Sequence, residues 1–274
     1  MLKPFITIAA CLVLAACGMS DGTPAYKNPD LPTDKRVEDL IGRMTVEEKL
    51  GQLLCPLGWP MYEKTEESVG ISDEYRKFID EQHGGMLWAT FRADPWTRKT
   101  LENGLNPRLA AEAYNALQRY AIDSTRLGIP MILAEEAPHG HMAIGATVFP
   151  TSIGLASTWD KALITEVGKT IAGELRAQGG HIGYGPVIDL AREPRWSRVE
   201  ETYGEDTYLT SEMAAAMVRG TSPKHNGWDK GVISTLKHFV AYGIPEGGHN
   251  GNPSNVGMRD LHENFLPADR KSVV

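Results

Sequence analysis

The feature that most limits what this chain can fold into is a unit repeated along it: a short apolar run, then an amphipathic helix. Gly85 to Ala89, Pro130 to Ala134, Ile182 to Ile188 and Val232 to Leu236 read as strands, each bounded by turn-forming or polar residues. Helical patterns follow them over Pro107 to Ser124, Trp159 to Gln178, Thr207 to Arg219 and from Arg259 to Phe265. Leu109, Ala113, Leu117 and Tyr120 line one face of the first of these helices, and Leu163, Val167, Ile171 and Leu175 one face of the second. Upstream, Thr45-x-x-Glu48 reads as a capping box opening a helix through about Leu54. A strand joined to the next through a helix runs in the same direction as its neighbour, so the alternation implies a parallel sheet. No Gly-x-Gly-x-x-Gly follows an early strand, which removes the main argument for an open, doubly wound nucleotide-binding sheet. Charged residues instead recur just past the strands, where α/β barrels build their sites. The expected fold is a (β/α)8 TIM-like barrel. About four units are visible against the eight a closed barrel needs, and the chain stops inside a helical pattern at Arg270-Lys271-Ser272-Val273-Val274, so the barrel is expected to be incomplete at its C-terminus.

The N-terminus is a separate object. Lys3 and the apolar stretch Phe5 to Leu14 have the make-up of an export signal, and Leu14-Ala15-Ala16-Cys17 resembles the bacterial lipoprotein pattern. The expected division is residues 1–17 as signal with Cys17 as the lipid site, 18–33 as a flexible tether, and 34–274 as the barrel domain. The protein is then exported and held to a bacterial membrane by its lipid, on the periplasmic or cell-surface side. Cys11 falls in the removed segment, which leaves Cys55 as the single thiol of the body, a buried structural one by its neighbours Leu53, Leu54 and Leu57. A formal net charge of -7 argues against nucleic acid as partner, since phosphate binding needs a basic face. No apolar run is long enough to span a bilayer. Oligomeric state is not legible.

Four places beyond the strands could carry chemistry. They are Glu135-Glu136-Ala137-Pro138-His139-Gly140-His141, the segment 181–206, Lys237-His238-Phe239, and the loop Gly247 to Asn252. Residues 191–206 hold three arginines, Trp196 and five acids. A polyhydroxylated ligand needs such a mixture: a carboxylate accepts from two neighbouring hydroxyls, lysine, arginine and histidine donate to others, and a ring covers an apolar sugar face. Each group also has an ordinary reading. Glu136 suits a helix N-terminus; Arg192, Arg195 and Arg198 could pair with Glu193, Glu200 and Glu201 on a solvated face; Trp196 could be packing. Lys237 after an apolar run is harder to explain without a partner. His139-x-His141 with Lys237 and His249 would fit a metal-dependent hydrolase on a barrel, but the pair follows the second strand rather than the first, and Pro138 disturbs strand geometry there. No metal site and no cofactor are expected.

Taken in order, the motifs resemble glycoside hydrolase family 3, of the β-glucosidase and β-xylosidase type. They are Thr125-Arg126-Leu127-Gly128-Ile129-Pro130, Glu136-Ala137-Pro138-His139-Gly140, Phe149 to Leu155, Pro194-Arg195-Trp196-Ser197-Arg198, Glu201 to Asp206 and Lys237-His238-Phe239. The similarity runs from about Asp34 to the end. It implies that Glu136, Arg198, Lys237 and His238 bind the innermost sugar, with Ser197 standing where many members carry glycine. It also implies a retaining mechanism with two carboxyl groups ~5–5.5 Å apart. The family nucleophile lies in a Gly-Phe-Val-x-Ser-Asp-like strand that is absent here, and the acid/base lies further downstream, so no catalytic carboxylate is expected within residues 1–274. Asp189 and Glu201 receive no catalytic role merely for being near.

The resulting expectation is the N-terminal part of an enzyme that hydrolyses terminal non-reducing β-D-glucosyl residues of β-linked glucosides or oligosaccharides, with this part inactive alone. A β-xylosidase and a non-catalytic glycan-binding lipoprotein are the alternatives.

Overall fold

The computed structural model describes residues 23–272, so the expected lipid site Cys17 and the export signal lie outside the described residues. The chain divides after Thr45. In the first unit a 3-10 turn, Ala25–Lys27, is tied to helix α1, Thr33–Arg43. The Tyr26 N–H donates to Asp39 Oδ2 at 3.0 Å and Arg36 Nε to the Tyr26 carbonyl at 3.0 Å. A hydrogen bond from Arg43 holds the Asp39 carboxyl below the usual range.

The second unit opens with α2, Val46–Gly51, which stops short of the predicted Leu54. The Glu48 carboxylate is gripped by Arg126, with Nε to Oε1 at 3.1 Å. A hairpin follows, β1 (Tyr62–Lys64) antiparallel to β2 (Val69–Ile71), and then helix α3, Asp73–Asp80, capped by the Ser72 hydroxyl. None of these three elements is visible in the sequence pattern.

The core sheet comes next. It consists of β3 (Met86–Trp88), β4 (Ile132–Glu136), β5 (Ile182–Val187) and β6 (Ile233–Lys237), all parallel and adjacent in chain order. All four fall on the predicted runs. The helices between them are α4 (Pro107–Asp123), the short α5 (Ser152–Ala156) with α6 (Lys161–Ala177), and α7 (Thr207–Thr221). Each long helix starts where a side chain can take up its free N–H groups: Asn106 caps α4, Asp160 caps α6 and Asp206 caps α7. Two apolar clusters pack helices against the sheet. One packs Leu87 and Leu133 against α3, α4 and the hairpin, and the other packs Ile188 and Val232 against α6 and α7. On α6 the buried stripe runs through Ile164, with Leu163 at 43% exposure, so the predicted face is off by one residue at its N-terminal end.

Beyond β6 the chain forms a loop and then helical turns over Met258–Asp260, Leu261–Phe265 (a π-turn) and Leu266–Ser272. The Pro56–Gly58 segment covers the edge of β3, its Gly58 N–H donating to the Trp88 carbonyl at 2.6 Å. Among the described residues β6 pairs on one side alone, and a groove of ≈ 590 Å³ lined by Val218, Trp228, Ile233 and Leu236 lies beside it. One glycine is required by the site itself. At Gly185 a Cβ would stand 2.7 Å from the Ala137 carbonyl oxygen, so only glycine lets β5 come this close to the end of β4.

Candidate functional site

Parallel strands end together on one side of a sheet, so whatever residues terminate them are brought side by side. Here the last residues of β3, β4 and β6 are Trp88, Glu136 and Lys237. Glu136 accepts from Trp88 Nε1 at 3.1 Å through Oε1 and from Lys237 Nζ at 2.8 Å through Oε2. A second cation, Arg92 in the loop after β3, reaches to 3.7 Å of Glu136 Oε1 while its main bond goes to Asp94 Oδ2. The Glu136 and Lys237 side chains are 7% and 12% exposed, so the pair is largely dry and its attraction is only weakly screened. Lys237 also lies over the Tyr184 ring, 5.8 Å from its centroid. Burial first, then Cys55 and Glu136, pushes the Tyr184 phenol up to about 12, so it is a neutral O–H over the working pH range.

Arg198 and His238 complete the same wall. Arg198 makes a two-pronged contact with Glu201, Nε to Oε1 and a terminal nitrogen to Oε2, both 2.7 Å. Burial alone would lower the guanidinium pKa, but the Glu201 contact outweighs it and raises it. Burial likewise would raise Glu201, yet Arg198 holds it below the usual carboxylate range. His238 shares its Nδ1 with Asp189 Oδ2 at 2.7 Å, and its backbone N–H donates to the same oxygen at 3.0 Å. The Asp189 side chain is fully buried and its Oδ1 has no partner. Two bonds to one oxygen fix the imidazole, and its Nε2 is the nitrogen left for a ligand.

All four residues singled out in the sequence, Glu136, Arg198, Lys237 and His238, line one cavity of ≈ 790 Å³, with Trp88, Arg92, Asp94, Trp96, Tyr184 and Asn250 among its other walls. Sequence reasoning missed the loop contribution of Arg92, Asp94 and Trp96. The charge pair Arg92-x-Asp94 directly after a strand was the available signal. Trp96 is 54% exposed and packs at 5.7 Å on Trp88 and 5.0 Å on Trp59.

The ordinary reading of Trp196 holds: it is 2% exposed, with its Nε1 donating to Asn250 Oδ1 at 2.9 Å, so it is packing and not a surface for a sugar face. Its neighbours Arg192 and Arg195 are surface pairs, to Asp260 and Glu193. Cys55, expected to be buried among its leucine neighbours, is half-buried, and Leu53 and Leu54 face outward at 80% and 42% exposure. Burial still raises its thiol pKa, which disfavours the thiolate. His139 lines the cavity, whereas His141 is buried behind it with Nε2 at 3.2 Å from Gln178 Oε1, so the two imidazoles do not face one ion. Among the described residues no group of three or more His, Cys, Asp or Glu could hold a metal.

Acids, cations and ring faces gathered past the C-terminal ends of parallel strands define the ligand-binding end of an α/β barrel-type domain. Residues 45–273 match the glycosyl hydrolase family 3 N terminal domain, and the chain belongs to that family. It is 32% identical over 234 residues to a periplasmic β-glucosidase of Salmonella typhimurium, covering 85% of this chain and 27% of that protein. It is 29% identical over 245 residues to a putative β-xylosidase of Formosa agariphila, covering 88% of this chain and 31% of that one. Among solved structures, the β-glucosidase of Listeria innocua in complex with glucose superimposes with a TM-score of 0.70 at 28% identity, over 87% of this chain and 31% of that chain. The chain thus spans about a third of the length of the relatives it matches.

Proposed function

We propose that this chain forms the sugar-holding part of an exported β-glucosidase that removes terminal non-reducing β-D-glucosyl residues from β-linked glucosides or oligosaccharides with retention. The observation that carries the reading is Glu136 at the end of β4, bonded to Trp88 and Lys237 from the strands ending around it and open to the cavity. Glu136 accepts from two adjacent sugar hydroxyls, Lys237 and Arg198 donate to others, and His238 presents Nε2 to a further one. Trp88 and Trp96 offer ring faces to the apolar side of the sugar.

Retaining hydrolysis needs one carboxylate free to attack the anomeric carbon and one carboxylic acid to protonate the leaving oxygen. Inside this cavity Glu136 is bonded to Lys237, Asp94 to Arg92 and Glu201 to Arg198, and Glu200 accepts the Glu201 backbone N–H, an arrangement that suits holding a sugar. In this reading the nucleophile and the acid/base come from polypeptide outside these 274 residues. The 274-residue protein is expected to bind glucose or cellobiose in calorimetry and to leave a nitrophenyl β-glucoside intact. Sustained turnover by the pure chain would overturn the division of labour, and absence of sugar binding would overturn the site. The β-xylosidase relative supports a second substrate, since the hydroxyls that Glu136, Arg198 and Lys237 would meet occur in both sugars; a xylose titration beside the glucose one separates the two. The periplasmic relative supports export, and a lipid on Cys17 is checked by mass spectrometry of the mature N-terminus.

A further inference from the structure

Glu135 and Glu136 are neighbours on β4, so their side chains leave opposite faces of the strand. Glu136 enters the cavity. Glu135 is 0% exposed and is not among the cavity-lining residues. Its carboxyl accepts the backbone N–H of Thr90 at 2.9 Å and that of Phe91 at 3.2 Å, the first residues of the loop that leaves β3. That loop is pinned a second time by the Ala93 N–H donating to the Met142 carbonyl at 2.9 Å. Between and beyond the two pins stand Arg92, 3.7 Å from Glu136, and Trp96, whose ring carries the Arg92 guanidinium at 4.6 Å.

We infer that Glu135 is a positioning residue: its buried carboxyl holds the Thr90–Trp96 loop so that Arg92 and Trp96 form one wall of the cavity, and its protonation state sets whether that wall stays in place. Burial above all, with the neighbouring Glu136 adding, pushes the Glu135 carboxyl up to about 8, against the lowering effect of the Phe91 and Thr90 bonds. It therefore stands uncharged at neutral pH. The Thr90 hydroxyl also acts to lower the Glu135 pKa, and its Oγ1 is buried without a partner at hydrogen-bond geometry. The titratable groups facing it are Glu136 on its own strand and, from the hairpin, Tyr62, whose phenol burial keeps protonated. Among the described residues no cation pairs with it. Losing the proton would leave a bare anion in a dry site beside Glu136, a state relieved by admitting water, which means loosening the loop.

The test uses the 274-residue chain labelled with 5-fluorotryptophan. Its six tryptophans give separate fluorine signals, assigned by single Trp→Phe variants. In the unmodified sequence the Trp96 and Trp88 signals should move together between about pH 7 and 9, while exposed Trp159 and Trp228 stay still. Glu135→Gln copies the neutral acid, so its signals should hold the low-pH positions throughout; Glu135→Leu removes the acceptor and should displace them at every pH. Glucose titrated into the unmodified chain should bind about fivefold more weakly near pH 9 than near pH 6.5, and equally at both in Glu135→Gln. A residue that merely stabilised the fold would lower the melting temperature without moving the Trp96 signal or the pH profile. Static Trp96 and Trp88 signals across the range, or the same movement in Glu135→Gln, would refute the inference. Should Glu135→Gln not fold, the titration of the unmodified chain decides alone. The affinity arm rests on the sugar-binding reading: if glucose does not bind at any pH that reading fails, and the fluorine signals still judge Glu135.

Discussion

Consider removing the ammonium from the Glu136–Lys237 pair as Lys237→Met, which keeps the length and apolar stem of the side chain. Both partners are mostly withdrawn from water, at 12% and 7% exposure, and their atoms are 2.8 Å apart. Breaking such a pair from one side leaves an uncompensated charge and costs ~3–5 kcal/mol. Glu136 keeps the Trp88 bond and the field of Arg92 at 3.7 Å, a cation already committed to Asp94, so a value near ~3 kcal/mol is expected for this site. In a domain of this size that lowers the melting temperature by ~6–12 °C. Glu136→Gln should cost a comparable amount, because it strands the lysine instead. The double variant Glu136→Gln/Lys237→Met removes both charges and should lose less than either single change. Urea unfolding of all four proteins then yields a coupling energy of at least ~2 kcal/mol. A coupling below ~0.5 kcal/mol would show that the two groups are independently solvated and that the dry, paired picture of the cavity floor is wrong. Glucose binding should be lost in all three variants.

The remaining expectations concern acidity, rings and geometry. Burial lowers the His141 imidazole to about 4, so the folded state prefers it neutral while the unfolded chain takes up a proton from about 6.5 downward. Its contribution is present above pH 6.5 and is lost as pH falls towards 4, by ~3 kcal/mol in all, and His141→Gln should flatten the fall in melting temperature over that window. Trp196→Ala should destabilise by ~3–5 kcal/mol because the ring is fully packed, whereas Trp96→Ala should leave unfolding nearly unchanged and weaken glucose binding about tenfold. Arg198→Lys replaces a fork by a point charge; calorimetry should show affinity down about tenfold, with stability lowered by no more than ~1–2 kcal/mol.

The four core strands were readable because each is a compact apolar run, three of them ending in a charged or aromatic residue and β5 running on through Ile188 into Asp189, and a buried parallel strand has few other ways to look. The hairpin was not. Tyr62–Lys64 and Val69–Ile71 are three residues each, and Glu63 and Lys64 give no alternation that would separate a strand from a loop. Among site residues, Glu136, Lys237 and His238 stood out because polar groups directly after apolar runs need an account. Trp96 and Arg92 sit in irregular backbone, where spacing says nothing about direction. Trp196 could be weighed as packing but not settled from sequence: a ring among charges reads the same whether it faces outward to a ligand or inward, and the bond to Asn250, fifty-four positions along the chain, is invisible in local sequence. Asp189 was set aside as a nucleophile, and the structure places it beneath His238, buried and bonded twice to that residue.

For the proposed sugar-holding function, the pairing of charges around the cavity also bears on which sugars would be turned away. Its walls carry Arg92, Lys237 and Arg198 against Asp94, Glu136, Glu200 and Glu201, and each of the three cations already has a carboxylate at hydrogen-bond distance. A uronic acid or a sugar phosphate would bring a further anion into a space whose positive charge is spent, and would be repelled by the carboxylates while losing its own hydration. A neutral pyranose meets the same groups as donors and acceptors for its hydroxyls. In the proposed sugar-holding function the ion pairs would thus act as a charge filter, selecting uncharged glycans before any contact that distinguishes one neutral sugar from another.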